Sequence, residues 1–300
     1  MTAPSLTAEQ ASRAVPSAKD VVYIERGGQK AVFSCLLQGR RFVLKFMYRD
    51  DSEAEEAGRS VQGGVTRARA RRELEAMTRC DSPYLVKVGP IGLKDCDVDG
   101  LKLLFYTEEH IAGTNLREYL RLKGPLPLQE LVLLGSQIAQ AVEAIWNLHM
   151  IHRDIKPGNI IRKHAGGNFV LLDMGCLFDL SGESYSGFPL GTLPYFSPEQ
   201  LDFAHRRSVL DFRSDLHALG IVLYEMATGV HPFMTSTVSS QEALIDNILH
   251  RIPPALKQLR HNIPSDLDRV IMQLLAKQPA LRFRKVSMLL EALNNIKSGG

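Results

Sequence analysis

No apolar run in this sequence reaches the ~18 residues that a membrane span needs. The richest stretch, Leu131 to Met150, is interrupted by Gly135, Gln137, Gln140 and Glu143 and reads as a buried helix. We therefore expect no membrane partner. Charge of one sign is also scarce: 36 basic against 33 acidic residues leave +3, too mild to argue for nucleic acid or an anionic surface. The local basic run "TRARARRE" (Thr66 to Glu73) ends in an acid and reads as a solvated helix face. Cysteine is sparse. Cys35, Cys80, Cys96 and Cys176 form no C-x-x-C pair, which speaks against a zinc site or a disulfide framework and for free thiols in a reducing cytosol. The first residues show no charged start followed by an apolar stretch, so no signal peptide is visible. A cytoplasmic protein is the expectation.

What is present is an ordinary globular composition, 45% apolar and 23% charged, with a change of texture along the chain. Residues 1–19 are small and polar with Pro4 and Pro16, and read as a flexible arm. Short β-type runs follow: "VVYIE", "AVFSCLL" and "RFVLKFMY". After the acidic stretch "RDDSEAEEAGRSVQGG" comes "VTRARARRELEAMTRC", of helical composition. "YLVKVGPIGL" and "LKLLFYTEE" read as two more strands joined by a "KDCDVDG" turn. Beyond "HIAGTN" nearly every segment has helical periodicity. The pattern is α+β in two lobes: a β-rich N-lobe over residues 20–110 and a helical C-lobe over 111–300, the domain itself spanning 20–297.

Chemistry concentrates in "MIHRDIKPGNI" (Met150 to Ile160). A carboxylate (Asp154), a cation (Lys156) and an amide (Asn159) share one short Pro/Gly loop. A little further on, "FVLLDMGC" places Asp173 at the end of an apolar run. Phosphoryl transfer from ATP needs this equipment: oxygens to hold a metal between phosphates, a carboxylate for the attacking hydroxyl's proton, and a cation for the transferred group. The stretch "IERGGQKAVF" (Ile24 to Phe33) is ambiguous by itself. Gly27 and Gly28 between apolar runs signal a plain hairpin as readily as a phosphate loop.

From about Val21 to Ile296 the chain resembles the eukaryotic-like, bacterial-type Ser/Thr protein kinases. "HRDIKPGN" resembles the H-R-D-x-x-x-x-N catalytic loop, and "DMG" resembles D-F-G with Met174 for Phe. The resemblance implies Asp154 as catalytic base, Lys156 beside it, and Asn159 and Asp173 as ligands of Mg²⁺ or Mn²⁺. "FVLK" resembles V-A-I-K, which implies that Lys45 pairs with the ATP phosphates and with a helix glutamate. Glu73 is that glutamate by its distance from Pro83; Glu75 is the alternative, about 200° round the helix. Aligning Val32 with the family's loop valine puts Gly27 at the central glycine and Glu25 and Lys30 at the outer two. Lys30 there adds a cation near the phosphates.

Val43 replaces the alanine above the adenine, and the adenine is expected to meet the backbone of Glu109 to Ile111. The gatekeeper is Glu108 or, by a one-residue shift, Thr107. "GTLPYFSPEQ" resembles the end of an activation segment, with Thr192 near the catalytic loop. Asp215 is expected to tie down that loop, and Glu199 to pair with buried Arg282. Arg153 beside Asp154 implies control by a phosphate on the activation segment, with Ser184 or Ser186 the preferred acceptors. Cys176, just after "DMG", reads as a small hydrophobe, with a reactive thiol near the metal site as the alternative. Gly158 and Asn115 stand where kinases that prefer basic substrates often carry glutamate. The implied function is transfer of the γ-phosphoryl of Mg-ATP to Ser/Thr of protein substrates. Autophosphorylation through a transient homodimer is included. The alternative is a pseudokinase, a nucleotide-binding or scaffolding module, motivated by the missing loop glycines.

Overall fold

The computed structural model of the chain is described over residues 3–27, 29–49, 67–174, 177–179, 191–201, 210–236 and 238–296. It divides into two units. One holds the described residues up to Cys80 and Val86–Ile111; the other holds Asp81–Leu85 and the described residues from Ala112 onward.

The first unit is an antiparallel sheet of five strands in the order β1-β2-β3-β5-β4. These are β1 (Lys19–Arg26), β2 (Ala31–Leu37), β3 (Arg40–Tyr48), β4 (Lys94–Val98) and β5 (Leu101–Glu109). Alternation sorts its residues onto two faces. Phe33, Cys35, Leu37, Leu44, Phe46, Leu103 and Phe105 form one buried cluster. Met47, Leu104 and Tyr106 point the other way and pack with Ala70 and Leu74 of α2 (Arg67–Arg79).

The first cluster corrects the expected flexible arm. Residues Ala8–Ala14 form helix α1, and Leu6, Ala11, Val15 and Ala18 join the cluster. Thr7 and Gln10 build a reciprocal capping box: Thr7 Oγ1 accepts from the Gln10 N–H, and Gln10 Oε1 accepts from the Thr7 N–H. A seven-residue helix is far below the ~12–15 residues that hold alone in water, so burial against the sheet sustains it.

A second correction concerns the strand expected in "YLVKVGPIGL". Strand β4 lies later, at Lys94–Val98, within the expected turn. The reversal is only Asp99-Gly100, both at positive φ (53° and 82°), the backbone that a two-residue hairpin demands. Val98 pairs with Leu101 across it. The Pro/Gly-interrupted stretch before β4 runs beside β5 as a loop, with Gly89 N–H donating to Thr107 O and Thr107 N–H to Ile91 O.

The second unit is mainly helical. It contains α3 (Leu116–Lys123), α4 (Leu128–Trp146), α5 (Pro198–Leu201), α6 (Phe212–Thr228), α7 (Gln241–His250), α8 (Leu256–Leu259), α9 (Ser265–Leu274) and α10 (Val286–Asn294). Helices α4 and α6 pack on each other and are buried along much of their length. A Cβ at Gly220 of α6 would lie 2.7 Å from Leu274 Cβ, so that glycine sets the approach of α9. Two small β arrangements carry the loops that matter. Strands β6 (Gly113–Asn115), β8 (Ile160–Lys163) and β9 (Phe169–Leu171) form one sheet in the order β6-β8-β9. Strands β7 (Met150–Ile151) and β10 (Phe178–Asp179) pair beside it. No helix among the described residues is long and apolar enough to cross a membrane.

Candidate active site

The loop between β7 and β8 is fixed from below by Asp215 of α6. Its buried carboxylate accepts from the backbone N–H of His152 (2.7 Å) and Arg153 (2.9 Å). Burial pushes this carboxyl up, and the two N–H donors and the Arg153 guanidinium pull against that. His152 is fully buried. Its Nδ1 accepts from the Asp154 N–H and its Nε2 lies 3.2 Å from Leu172 O, the pattern of a neutral imidazole with its proton on Nε2. The Leu172 N–H in turn donates to Asn159 O (2.7 Å), joining the segment that carries Asp173 to the loop that carries Asn159. Arg153 and Asp173 have φ of 67° and 56°. Positive φ is costly for non-glycine residues and persists only where the surroundings enforce it.

Asp154, almost fully buried, sits at the centre of this loop. Its Oδ2 accepts from Lys156 Nζ (2.8 Å) and Asn159 Nδ2 (2.9 Å), and its Oδ1 from Thr192 Oγ1 (2.7 Å). Lys156 Nζ also donates to Thr192 Oγ1 at 2.6 Å. Asn159 Nδ2 makes a further bond to Asp154 O. With its NH₂ so engaged, the amide has Oδ1 as its remaining polar atom, an oxygen of the kind a hard cation takes. Asn159 Oδ1 and the half-buried Asp173 carboxylate are thus chemically fit to hold a divalent metal. Thr192 reaches Asp154 because Gly191 (φ 131°) passes so close to the loop that a Cβ there would lie 2.5 Å from Arg153 O.

Arg153 stacks over the Phe178 ring (4.7 Å to its centroid) and donates to Leu177 O. The expected phosphate acceptors Ser184 and Ser186, together with Cys176 and Gly28, lie outside the described residues.

In the first unit Val32, Val43, Lys45, Tyr106 and Glu108 share one sheet face. Register places Val32 opposite Lys45, Lys45 opposite Tyr106, and Val43 opposite Glu108. Residues so paired, and those two apart, project to the same side. Glu108 therefore shares the face of Lys45 and Tyr106. Thr107 turns to the other face, where its hydroxyl bonds Ile91 O and accepts from the Ile91 N–H. Of the two helix glutamates, Glu73 is buried and Glu75 exposed. Glu73 Oε1 accepts from Lys30 Nζ (2.6 Å) and the Tyr106 hydroxyl (3.0 Å). Lys45 Nζ donates to Glu108 Oε1 at 2.8 Å. The sequence reading had not seen Lys30 and Tyr106 as partners of Glu73, nor Glu108 as a partner of Lys45. Period-two alternation, applied to Lys30, Val32, Val43, Lys45, Tyr106 and Glu108 together, is the signal that puts them on one face.

Gly27 closes the β1–β2 turn by donating its N–H to Lys30 O at 2.9 Å. At the far end of β5 the Glu109 N–H donates to Lys87 O, and Ile111 is buried.

Residues 20–293 match the family described as protein kinase domain, and the chain belongs to that family. Among curated proteins it is similar to the serine/threonine-protein kinase PrkC of Bacillus subtilis, 30% identical over 80% of this chain and 34% of that protein. It is similar to PknB of Mycobacterium leprae, 31% identical over 77% of this chain and 36% of the relative. It is also similar to PknD of Mycobacterium tuberculosis, 34% identical over 73% of this chain and 31% of the relative. The chain thus spans about a third of the length of these relatives.

Proposed function

We propose that this chain is an active protein serine/threonine kinase that moves the γ-phosphoryl of ATP to serine or threonine hydroxyls of proteins, its own included. The observation that carries the reading is the Asp154 carboxylate, held on three sides by Lys156, Asn159 and Thr192. A carboxylate so fixed is oriented to accept the proton of an incoming hydroxyl, with no reorganisation when the reaction occurs. Lys156, already beside it, would supply a cation for the charge that develops on the transferred group. Asp173 and Asn159 would hold the Mg²⁺ or Mn²⁺ that accompanies ATP. Bound there, the ion neutralises phosphate charge. Lys45 would contact the phosphates, Val32 and Val43 would cover the adenine, and the Glu109 carbonyl and Ile111 N–H would read its edge. Gly27 and Gly28 would let the loop approach the phosphates.

ATP as donor implies a cytoplasmic reaction, and autophosphorylation implies a transient encounter of two copies. The names of the relatives support the same activity. The intact mass of the protein after incubation with Mg-ATP, beside Asp154→Asn and Asp173→Ala, is the direct test. Mass steps of single phosphates in the wild type alone are the expected result. ATP-induced thermal stabilisation without transfer to itself or to a generic protein substrate would instead make it a nucleotide-binding pseudokinase.

A further inference from the structure

Lys30 occupies a position where the loop of a nucleotide-binding hairpin ordinarily has glycine, and its two ends do different things. Its backbone carbonyl accepts the Gly27 N–H at 2.9 Å and so closes the β1–β2 turn. Its side chain is buried and reaches Glu73 of α2 at 2.6 Å, with the Tyr106 hydroxyl 3.0 Å away and the Tyr106 ring beneath it. One residue therefore joins the turn to the helix. The Tyr106 hydroxyl extends the connection: it lies 3.0 Å from Glu73 Oε1 and 3.2 Å from Glu108 Oε1, and Glu108 accepts from Lys45. These two cations and two carboxylates meet on the side of the sheet where Met47, Leu104 and Tyr106 pack with Ala70 and Leu74 of α2. Removing one member of such a buried, hydrogen-bonded set strands the charge of another.

We propose that Lys30 is a positioning residue for phosphoryl transfer. By clamping Glu73 it couples the phosphate-side turn to α2, and through Tyr106 it steadies the pair of Lys45 and Glu108. The lysine gives up glycine's backbone freedom and provides this anchorage in exchange. The inference rests on the kinase reading above.

Lys30→Gly separates the two ideas, because it restores the glycine while removing the clamp. Steady-state transfer to a generic protein substrate should fall about 100-fold, the scale of losing the alignment of reacting groups. The loss should sit in kcat, with KM for ATP changing less. Lys30→Arg, which keeps the cation, should recover most of it. The charge exchange Lys30→Glu with Glu73→Lys should outperform Lys30→Glu alone, a comparison that holds even if Lys30→Gly folds poorly. Transfer by Lys30→Gly at or above the wild-type rate would overturn the proposal, as would a charge exchange no better than its single variant. A wild type that transfers no phosphate would bring down the kinase reading itself, and the proposal with it; an active wild type indifferent to Lys30 would bring down the proposal alone.

Discussion

At Thr192 a single hydroxyl serves two charged partners, donating to Asp154 at 2.7 Å and accepting from Lys156 at 2.6 Å. Without it, the carboxylate and the ammonium retain each other but lose the group that sets their orientation. Thr192→Val should lower kcat about 10²-fold, in the range seen when one preorganised donor is removed. Thr192→Ser should stay near wild type, and KM for ATP should move little in either; steady-state phosphorylation of a generic substrate measures both. Gly191→Ala should be as damaging as Thr192→Val, since its φ of 131° and the 2.5 Å approach to Arg153 O leave no room for a methyl. The residues of this loop were legible in "HRDIKPGN" and "GTLPY" because their chemistry depends on local spacing. The spacing that makes Lys30 an expected cation near the phosphates says nothing of its partner Glu73. That partner is 43 positions away on a helix, and the packing of α2 on the sheet face brings the two together.

Among the elements, α1 shows what the sequence reading overlooked. "TAEQ" is a capping-box pattern of Thr and Gln three apart, and Ala11 and Val15, four apart, lie on one helix face. Small residues hid the apolar stripe, because alanine counts little in a reading by hydrophobicity and much in close packing. Thr7→Ala should cost about 1 kcal/mol in urea denaturation, the usual worth of an N-cap. Ala11→Asp should cost more, since it puts a charge into the cluster of Phe33, Cys35 and Phe46. If both variants denature like the wild type, α1 does not contribute to the stability of the sheet. The exposed Arg13–Asp99 pair should contribute little to either result. Strand β4 was misplaced for a related reason. Asp95 and Asp97 made "KDCDVDG" look like a turn, whereas only the Asp99-Gly100 pair at its end has the required backbone. The long helices, whose period is sustained over several turns, were read without difficulty.

For the molecule as a whole, stability should depend on acidity through two neighbouring histidines, His217, which is buried, and His231, which is half-buried. His217 is fully buried and stacks on Phe233; His231 accepts from the Phe233 and Met234 N–H groups through Nδ1. Burial lowers His231 from 6.5 to about 4. It lowers His217 well below its ordinary value too, with Arg282, Lys277 and His231 adding positive charge around it. A base whose affinity for protons is depressed by folding leaves the unfolded chain binding more protons, so stability is full above about pH 6.5 and declines as pH falls toward 4. For His231 alone the full decline is about 3 kcal/mol. Glu225, pushed up by burial against the Tyr195 hydroxyl's pull, contributes with the opposite sign, so a wild-type curve alone does not isolate the histidines. Burial also pushes Glu199 up, but its two bonds to Arg282 (2.6 and 2.9 Å) outweigh that and hold it below its ordinary 4.5. Its own loss therefore begins at lower pH than that of the histidines. That pair is a separate matter: Arg282→Ala should cost about 3–5 kcal/mol at neutral pH by leaving a buried carboxylate without its cation, with the Ser214 hydroxyl still donating to it. His217→Leu removes the titrating ring and keeps an apolar surface for Phe233. Its thermal midpoint relative to wild type should rise from pH 8 to pH 5, the two curves diverging through the window where the wild-type histidine resists protonation. Parallel curves would mean that the unfolded chain gains no extra proton at this position, and that His217 is charged within the fold.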